Sequence, residues 1–164
     1  MSDLPTYVLE RVFDAPQELV WKTWTEAKLL AHWYGPGVET VIHKLDVSVG
    51  GVWLNEMRMG ERSGYQKSEY TEVVPHSRLV MLMSNTDADW NIAPNPMMPN
   101  WPRTLLTTVT FESVDDKTKM KLTWSPHEAS KAEIAGFAAA MAGLGKGWGA
   151  GMVLLEELLA DLQA

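Results

Sequence analysis

The spacing of the hydrophobic residues changes along the chain, and this change constrains the fold more than any other feature. Between residues 38 and 124, apolar and polar residues alternate in several short segments, as in half-buried β-strands. After residue 125, apolar residues recur every three or four positions, as on one face of a helix. The sequence therefore predicts an α+β protein in which most strands precede one long C-terminal helix.

The alternating segments are separated by turn residues, which favours an antiparallel meander. Gly50-Gly51 joins two such segments into a predicted hairpin, in which His43 shares a face with Val41 and Leu45 and is expected inside. An earlier segment, 6–13, also alternates. The predicted strands are 6–13, 38–49, 52–59, 65–74, 78–84, 104–114 and 117–124.

Two short helices are predicted between the first strand and the hairpin. Asp14 and Thr25 are candidate N-caps, Pro16 suits a first turn, and Gly35-Pro36 would end the second helix. The rings of Trp33, Tyr34 and Trp53 are expected to wedge these helices against the sheet.

The C-terminal helix is predicted to begin with a capping box, Ser125 to Glu128, with Pro126 in its first turn. Five glycines between residues 143 and 151 predict a kink or a close backbone contact, because glycine weakens a helix by about 1 kcal/mol relative to alanine. The segment 85–103 has four prolines and no periodicity, which predicts a long loop acting as a lid or remaining disordered.

Length and composition predict one domain, residues 1–164, in a soluble protein. A net charge of -7 argues against a nucleic-acid partner, because phosphate binding relies on clustered Lys and Arg. We expect no membrane insertion, since no tract of about 18 apolar residues is evident. The N-terminal residues do not resemble a secretory signal, which predicts a cytoplasmic location.

The sequence contains no strong catalytic or cofactor motif. There are no cysteines, the four histidines have no metal-ligand spacing, and no serine lies in a nucleophile motif. The run GLGKGWGAG has Gly147 where a phosphate-binding loop requires Ser or Thr after its lysine. We therefore assign no metal, no cofactor and no catalytic residue.

Apolar side chains on the strands and on the C-terminal helix would face each other. They could form a solid core, which is the ordinary outcome, or enclose a cavity for a hydrophobic ligand. If a cavity forms, the candidate ligand-binding residues are Trp53, Asn55, Met57, Tyr70, Met81, Phe111, Phe137, Met141, Leu144, Trp148 and Met152.

The ordered series APQELVW, WYGPG, DVSVGGVW and EVVPHSRLV covers nearly the whole chain. It resembles the family related to the C-terminal domain of the activator of the 90-kDa heat-shock protein ATPase. That family belongs to the START-like (SRPBCC, polyketide cyclase) superfamily. The resemblance implies a helix-grip fold, also called birch-pollen-allergen-like, in which a curved antiparallel sheet surrounds a long C-terminal helix.

The resemblance also implies a cavity that holds an apolar or aromatic small molecule. Three departures from the family pattern affect the expected ligand: Tyr34 replaces a common tryptophan, Ser48-Val49 replaces Arg-Pro, and the 85–103 loop is longer than usual.

Three functions are considered, in decreasing order of preference. The first is binding of a hydrophobic or aromatic ligand between the sheet and the C-terminal helix. The second is a cyclase or dehydratase reaction in the same cavity, with Tyr65, Tyr70, His43 or Asn55 exchanging protons. The third is a chaperone partner, ranked lowest because the eukaryotic activator joins this domain to another one that 164 residues do not include.

Overall fold

The computed structural model describes residues 4–164. Its seven strands and three helices follow the predicted order of strand, two helices, six strands and helix. The strands are β1 (Tyr7–Phe13), β2 (Glu39–Leu45), β3 (Val52–Met59), β4 (Arg62–Val74), β5 (Arg78–Thr86), β6 (Thr104–Val114) and β7 (Lys117–Pro126). The helices are α1 (Gln17–Thr25), α2 (Ala27–Trp33) and α3 (Lys131–Leu162).

All seven strands form one antiparallel sheet in the order β1-β7-β6-β5-β4-β3-β2. Strands β2 to β7 are each paired with the next one along the chain, which is the predicted meander. The first strand pairs with the last, so β1 and β2 lie at the two edges. The predicted helix-grip architecture is confirmed: a curved sheet, a long C-terminal helix and two short N-terminal helices.

The interior faces of the strands pack against α1, α2 and α3 in one hydrophobic core. The expected wedge of aromatic rings is present at the junction of α2 and the sheet. The Tyr34 ring centroid lies 5.7 Å from that of Trp33 and 4.9 Å from that of Trp53, both in edge-to-face orientation. These contacts hold the end of α2 against β3.

The predicted N-caps of the short helices are wrong. Pro16, expected in the first turn, is the N-cap of α1, and Glu26 is the N-cap of α2. Neither makes a side-chain capping bond, and the Thr25 hydroxyl instead donates back to the carbonyl of Trp21 within α1. Burial of Val20, Trp24 and other apolar side chains of these helices, rather than capping, holds them in place.

The predicted start of the long helix is also wrong. Ser125 and Pro126 belong to β7, where they pair with Leu106 and Leu105 of β6. The capping box lies five residues later: Ser130 accepts from the Glu133 amide at 3.1 Å, and the Glu133 carboxylate accepts from the Ser130 amide at 3.0 Å. Both segments fit the capping pattern, and strand pairing decides between them.

Helix α3 is continuous over 32 residues through the glycine run. Contrary to the sequence-based expectation, it is long and apolar enough to cross a membrane by length and composition, with a mean hydropathy of 1.2 in an 18-residue window. Only 17% of that window is buried, but Met152, Leu155 and Leu159 of this helix are buried in the hydrophobic core. These contacts are typical of the core helix of a soluble protein.

Candidate functional site

A cavity of about 420 Å³ lies between the middle of α3, the interior face of β3 to β7, the end of α2 and the loop 87–103. The interior is therefore not packed solid along its whole length. Its lining residues are Trp33, Tyr34, Gly35, Pro36, Met57, Gln66, Met83, Ser84, Asn85, Asn95, Met98, Trp101, Leu105, Trp124, Gly143, Leu144, Gly147, Trp148 and Gly151.

Glycines leave the space on the helix side of the cavity. Gly143, Gly147 and Gly151 recur every four residues and so lie on one face of α3. A Cβ built on Gly143 or Gly147 would meet no heavy atom within 4 Å. At Gly151 the same Cβ would contact Trp33 and Pro36 at ordinary distances of 3.7–3.9 Å. Gly143 and Gly147 are themselves exposed, so the glycine run leaves space beside the cavity that is open to solvent at these two positions. At Gly151 the predicted close backbone contact is not found, because an added Cβ would fit at ordinary contact distance.

Aromatic side chains form a continuous wall around this space. Tyr34 and Trp148 have ring centroids 6.1 Å apart, Trp148 and Trp124 are 5.1 Å apart, and Trp124 and Trp101 are 6.2 Å apart, all edge to face. Met57, Met83 and other apolar side chains complete the lining. Flat aromatic faces and adaptable thioethers suit a hydrophobic or aromatic guest.

No Asp, Glu, Lys, Arg or His side chain lines the cavity in the described part of the chain. Its polar side chains are uncharged: Tyr34, Gln66, Ser84, Asn85 and Asn95. Burial raises the pKa of the Tyr34 hydroxyl, which therefore stays protonated in the ordinary pH range. The cavity thus offers an apolar body and a few neutral hydrogen-bonding groups.

The loop 87–103 forms one side of the cavity through Asn95, Met98 and Trp101. It is ordered by several contacts: the Trp101 ring lies 5.3 Å from Phe137 of α3, and the Arg103 amide donates to the Glu133 carboxylate at 2.8 Å. The segment predicted to be a lid or disordered is therefore part of the cavity wall. Within this loop, Met98 remains 44% exposed to solvent.

The eleven residues predicted to bind ligand divide into two groups. Met57, Leu144 and Trp148 line the cavity, and Met141 is partly buried against the core beside it. The other seven are at most 2% exposed and do not line the cavity; they are Trp53, Asn55, Tyr70, Met81, Phe111, Phe137 and Met152. Large helix side chains fill the interior at Phe137 and Met152, whereas the glycines between them do not. Contact of any of these residues with a ligand remains a prediction.

The four groups predicted for proton transfer do not meet at one void. Asn55 and the Tyr70 hydroxyl are sealed in the core without a hydrogen-bond partner among residues 4–164, and burial raises the pKa of Tyr70. Tyr65 and His43 pack instead against Trp90, with ring centroids 5.5 and 5.4 Å from it. None of the four lines the cavity.

The expectation that His43 lies inside is wrong. The pairing of β2 with β3 shifts register between Ile42 and Lys44, so His43 sits at a bulge and its side chain is 42% exposed. Its Nε2 lies 2.9 Å from Glu56 Oε1, on the sheet face opposite Asn55. Hydrogen bonds from Ser63 and His43, together with Arg58, lower the pKa of Glu56 to about 2.

Several cavity residues were absent from the sequence-based list. Trp101 and Met98 lie in the loop that the sequence identified as a possible lid, and Tyr34 is a departure from the family pattern, so each had a signal. Gln66 had none, because a lone polar residue in an alternating strand is ordinarily assigned to the solvent face. Here Gln66 shares the interior face with Asn55, its partner across β3 and β4.

The comparisons with known proteins agree with this fold. The family model for activator of Hsp90 ATPase homolog 1-like protein matches residues 14–160. No curated protein matches the sequence.

Solved bacterial structures have the same fold. A protein from Staphylococcus epidermidis is 21% identical, with a TM-score of 0.78, and the match covers 98% of this chain and 93% of that chain. Protein Ms6760 from Mycobacterium smegmatis is 20% identical, with a TM-score of 0.76 and 96% of each chain covered. A protein from Arthrobacter aurescens is 18% identical, with a TM-score of 0.80 and coverage of 98% and 90%. At these identities the likeness concerns the fold alone.

Proposed function

The chain belongs to the family of activator of Hsp90 ATPase homolog 1-like proteins, and from this premise we propose that it binds a hydrophobic or aromatic small molecule in the cavity beside α3. The family's START-like fold commonly binds hydrophobic ligands. The observation that carries the proposal is the open volume beside Gly143 and Gly147, bordered by an aromatic wall.

The size and chemistry of the cavity fit this function. A volume of about 420 Å³ lies within the range of small-molecule sites, which are typically apolar with a few placed polar groups. Burial of ligand surface against Trp101, Trp124 and Trp148 would supply most of the affinity, at roughly 25 cal/mol per Å² of apolar area before the costs of association.

Binding is preferred over the cyclase or dehydratase alternative because Tyr65, Tyr70, His43 and Asn55 do not converge on the cavity. The Tyr34 hydroxyl, which does line it, is kept protonated by burial. A chaperone partner stays ranked last. Nothing in the cavity geometry bears on it.

The test uses N-phenyl-1-naphthylamine, an uncharged aromatic dye whose emission rises in apolar surroundings. We expect saturable binding, with quenching of tryptophan emission from the aromatic wall. Gly147→Leu should weaken binding at least about tenfold, because its side chain would occupy space that is open in the native protein.

The matched control is Gly149→Leu. A Cβ at Gly149 also meets nothing within 4 Å, but Gly149 does not line the cavity, so both variants make the same chemical change in one helix. Gly149→Leu should bind the dye like the native protein. Absence of saturable binding, or equal binding by the two variants, would refute the proposed site.

A further inference from the structure

The polar residues of the cavity wall differ in how their hydrogen-bonding groups are used. Ser84 pairs its hydroxyl with Thr104 at 2.8 Å, and the Asn85 amide nitrogen donates to the Pro102 carbonyl at 3.4 Å. The Asn95 side-chain oxygen accepts from the Met97 amide at 2.9 Å within its own loop. In Asn95 and in Gln66, the side-chain oxygen is occupied and the amide nitrogen donates to no group within residues 4–164. Asn95 lies in the loop 87–103, whereas Gln66 is held in strand β4.

Tyr34 sets the orientation of the Gln66 amide. Its hydroxyl donates to Gln66 Oε1 at 3.2 Å, and the Met83 sulfur at 3.8 Å is a weaker alternative acceptor. Because the oxygen faces Tyr34, the amide nitrogen of Gln66 is directed elsewhere. It donates no hydrogen bond to any group within residues 4–164, although Gln66 lines the cavity.

A free amide donor of this kind favours ligands that carry a hydrogen-bond acceptor over ligands that do not. A ligand carbonyl oxygen that loses water on binding is penalised unless a donor replaces the water. Charged ligands pay a larger desolvation cost, and among residues 4–164 no side chain of opposite charge lines the cavity to offset it.

From these observations, and resting on the proposed function, we infer that the cavity selects an uncharged aromatic ligand bearing a hydrogen-bond acceptor such as a ketone oxygen, and that the Gln66 amide nitrogen binds this acceptor. Tyr34 is then a positioning residue: it acts on the ligand through Gln66. The aromatic wall holds the body of the ligand.

The test compares three compounds that share one tricyclic framework: fluorene, fluoren-9-one and fluorene-9-carboxylate. Native protein should bind the ketone about three- to tenfold more tightly than the hydrocarbon, the effect of one net hydrogen bond. The carboxylate should bind more weakly than both. Dissociation constants are measured by displacement of N-phenyl-1-naphthylamine.

Gln66→Met keeps the length of the side chain and removes the donor, so the hydrocarbon should bind as before while the preference for the ketone disappears or reverses. Tyr34→Phe should reduce the preference in part, because the amide is no longer held in one orientation. Gln163→Met is the control, since it makes the same chemical change at an exposed residue that does not line the cavity, and it should leave the preference unchanged.

Equal affinity for ketone and hydrocarbon in the native protein would overturn the inference, as would a preference that survives in Gln66→Met. In both cases the dye and the hydrocarbon still bind, so the proposed function stands. If neither the dye nor any of the three compounds binds, the proposed function and this inference fall together.

Discussion

A Cβ built on Gly136 of α3 would clash with the backbone carbonyl oxygen of Asn100, so only glycine fits where the loop 87–103 crosses the helix. The contact fixes the loop one helical turn after Glu133, whose carboxylate accepts from the Arg103 amide. Together with the ring contact between Trp101 and Phe137, these attachments to α3 hold the loop in the cavity wall.

We predict that Gly136→Ala displaces this loop. The added methyl group cannot coexist with the Asn100 carbonyl at its present position, and a backbone atom cannot rotate away as a side chain can. Amide hydrogen exchange of residues 94–103 should become faster and the melting temperature should fall.

The control for this prediction is Gly149→Ala, where an added Cβ meets open space. That variant should be slightly more stable than the native protein, by up to about 1 kcal/mol, because alanine has the higher helix propensity. If Gly136→Ala is as stable as Gly149→Ala and exchanges like the native protein, the contact does not hold the loop.

The position of the α3 capping box gives a second prediction. Ser130→Ala should destabilise the protein by about 1 kcal/mol, since the Ser130 side chain accepts from the Glu133 amide. Ser125→Ala should have little effect, because Ser125 lies in β7 and not at the helix terminus. The denaturant midpoints of the two variants test this prediction. A larger loss of stability in Ser125→Ala than in Ser130→Ala would contradict the assignment of Ser130 as the N-cap of α3.

The lowered pKa of Glu56 in the folded protein predicts an acid-dependent loss of stability. The folded protein lowers its pKa from 4.5 to about 2, through the Ser63 hydrogen bond first and then His43 and Arg58. A lowered folded-state pKa contributes stability that is present above pH 4.5 and is lost as the pH falls toward 2. In Glu56→Gln, the free energy of unfolding should vary less across this range.

The measurement for Glu56 is denaturant unfolding at several pH values across that interval. Glu61→Gln serves as the matched control, because Glu61 is an exposed carboxylate in the turn between β3 and β4. Its pH dependence should match that of the native protein. If the free energy of unfolding changes equally with pH in the native protein and in Glu56→Gln, Glu56 is not responsible for the acid-dependent loss of stability.

Two buried tryptophans that pack against each other provide a matched pair. The ring centroids of Trp24 and Trp33 are 4.8 Å apart, and each residue is 1% exposed. Trp33 Nε1 donates to the Thr23 carbonyl at 2.9 Å, whereas Trp24 Nε1 has no partner among residues 4–164. We therefore expect Trp33→Phe to cost about 1–3 kcal/mol more stability than Trp24→Phe.

Thermal and denaturant unfolding of both variants test this difference. Each substitution removes a similar ring volume, so the difference reports mainly on the hydrogen bond. Equal losses would show that packing alone determines the contribution of these rings.

The sequence by itself determined the order and type of the elements. Alternation with period two in most of the strands, and apolar spacing of three or four residues in α3, follow from which faces must be buried. Those patterns survive in any arrangement that buries the same faces, which is why the strand and helix assignments agree with the structure. The turn residues at Gly50-Gly51 and Gly35-Pro36 were also recognisable locally.

Caps and bulges depended on more distant parts of the chain. Ser125 and Ser130 both begin plausible capping boxes, and only the pairing of Pro126 with Leu105 excludes the first. His43 lies outside because β2 shifts register against β3 at Ile42 and Lys44, which alternation along β2 alone does not reveal.

The tertiary structure alone decided where the interior is solid and where it is open. Phe137 and Met152 belong to the same apolar stripe as Leu144 and Trp148, yet they lie in packed core while Leu144 and Trp148 line a cavity. The difference comes from Gly143 and Gly147, whose missing side chains leave volume only because the sheet, α2 and the loop 87–103 do not fill it. Cavity volume is what remains after all elements have packed, so the spacing of residues in one segment cannot specify it.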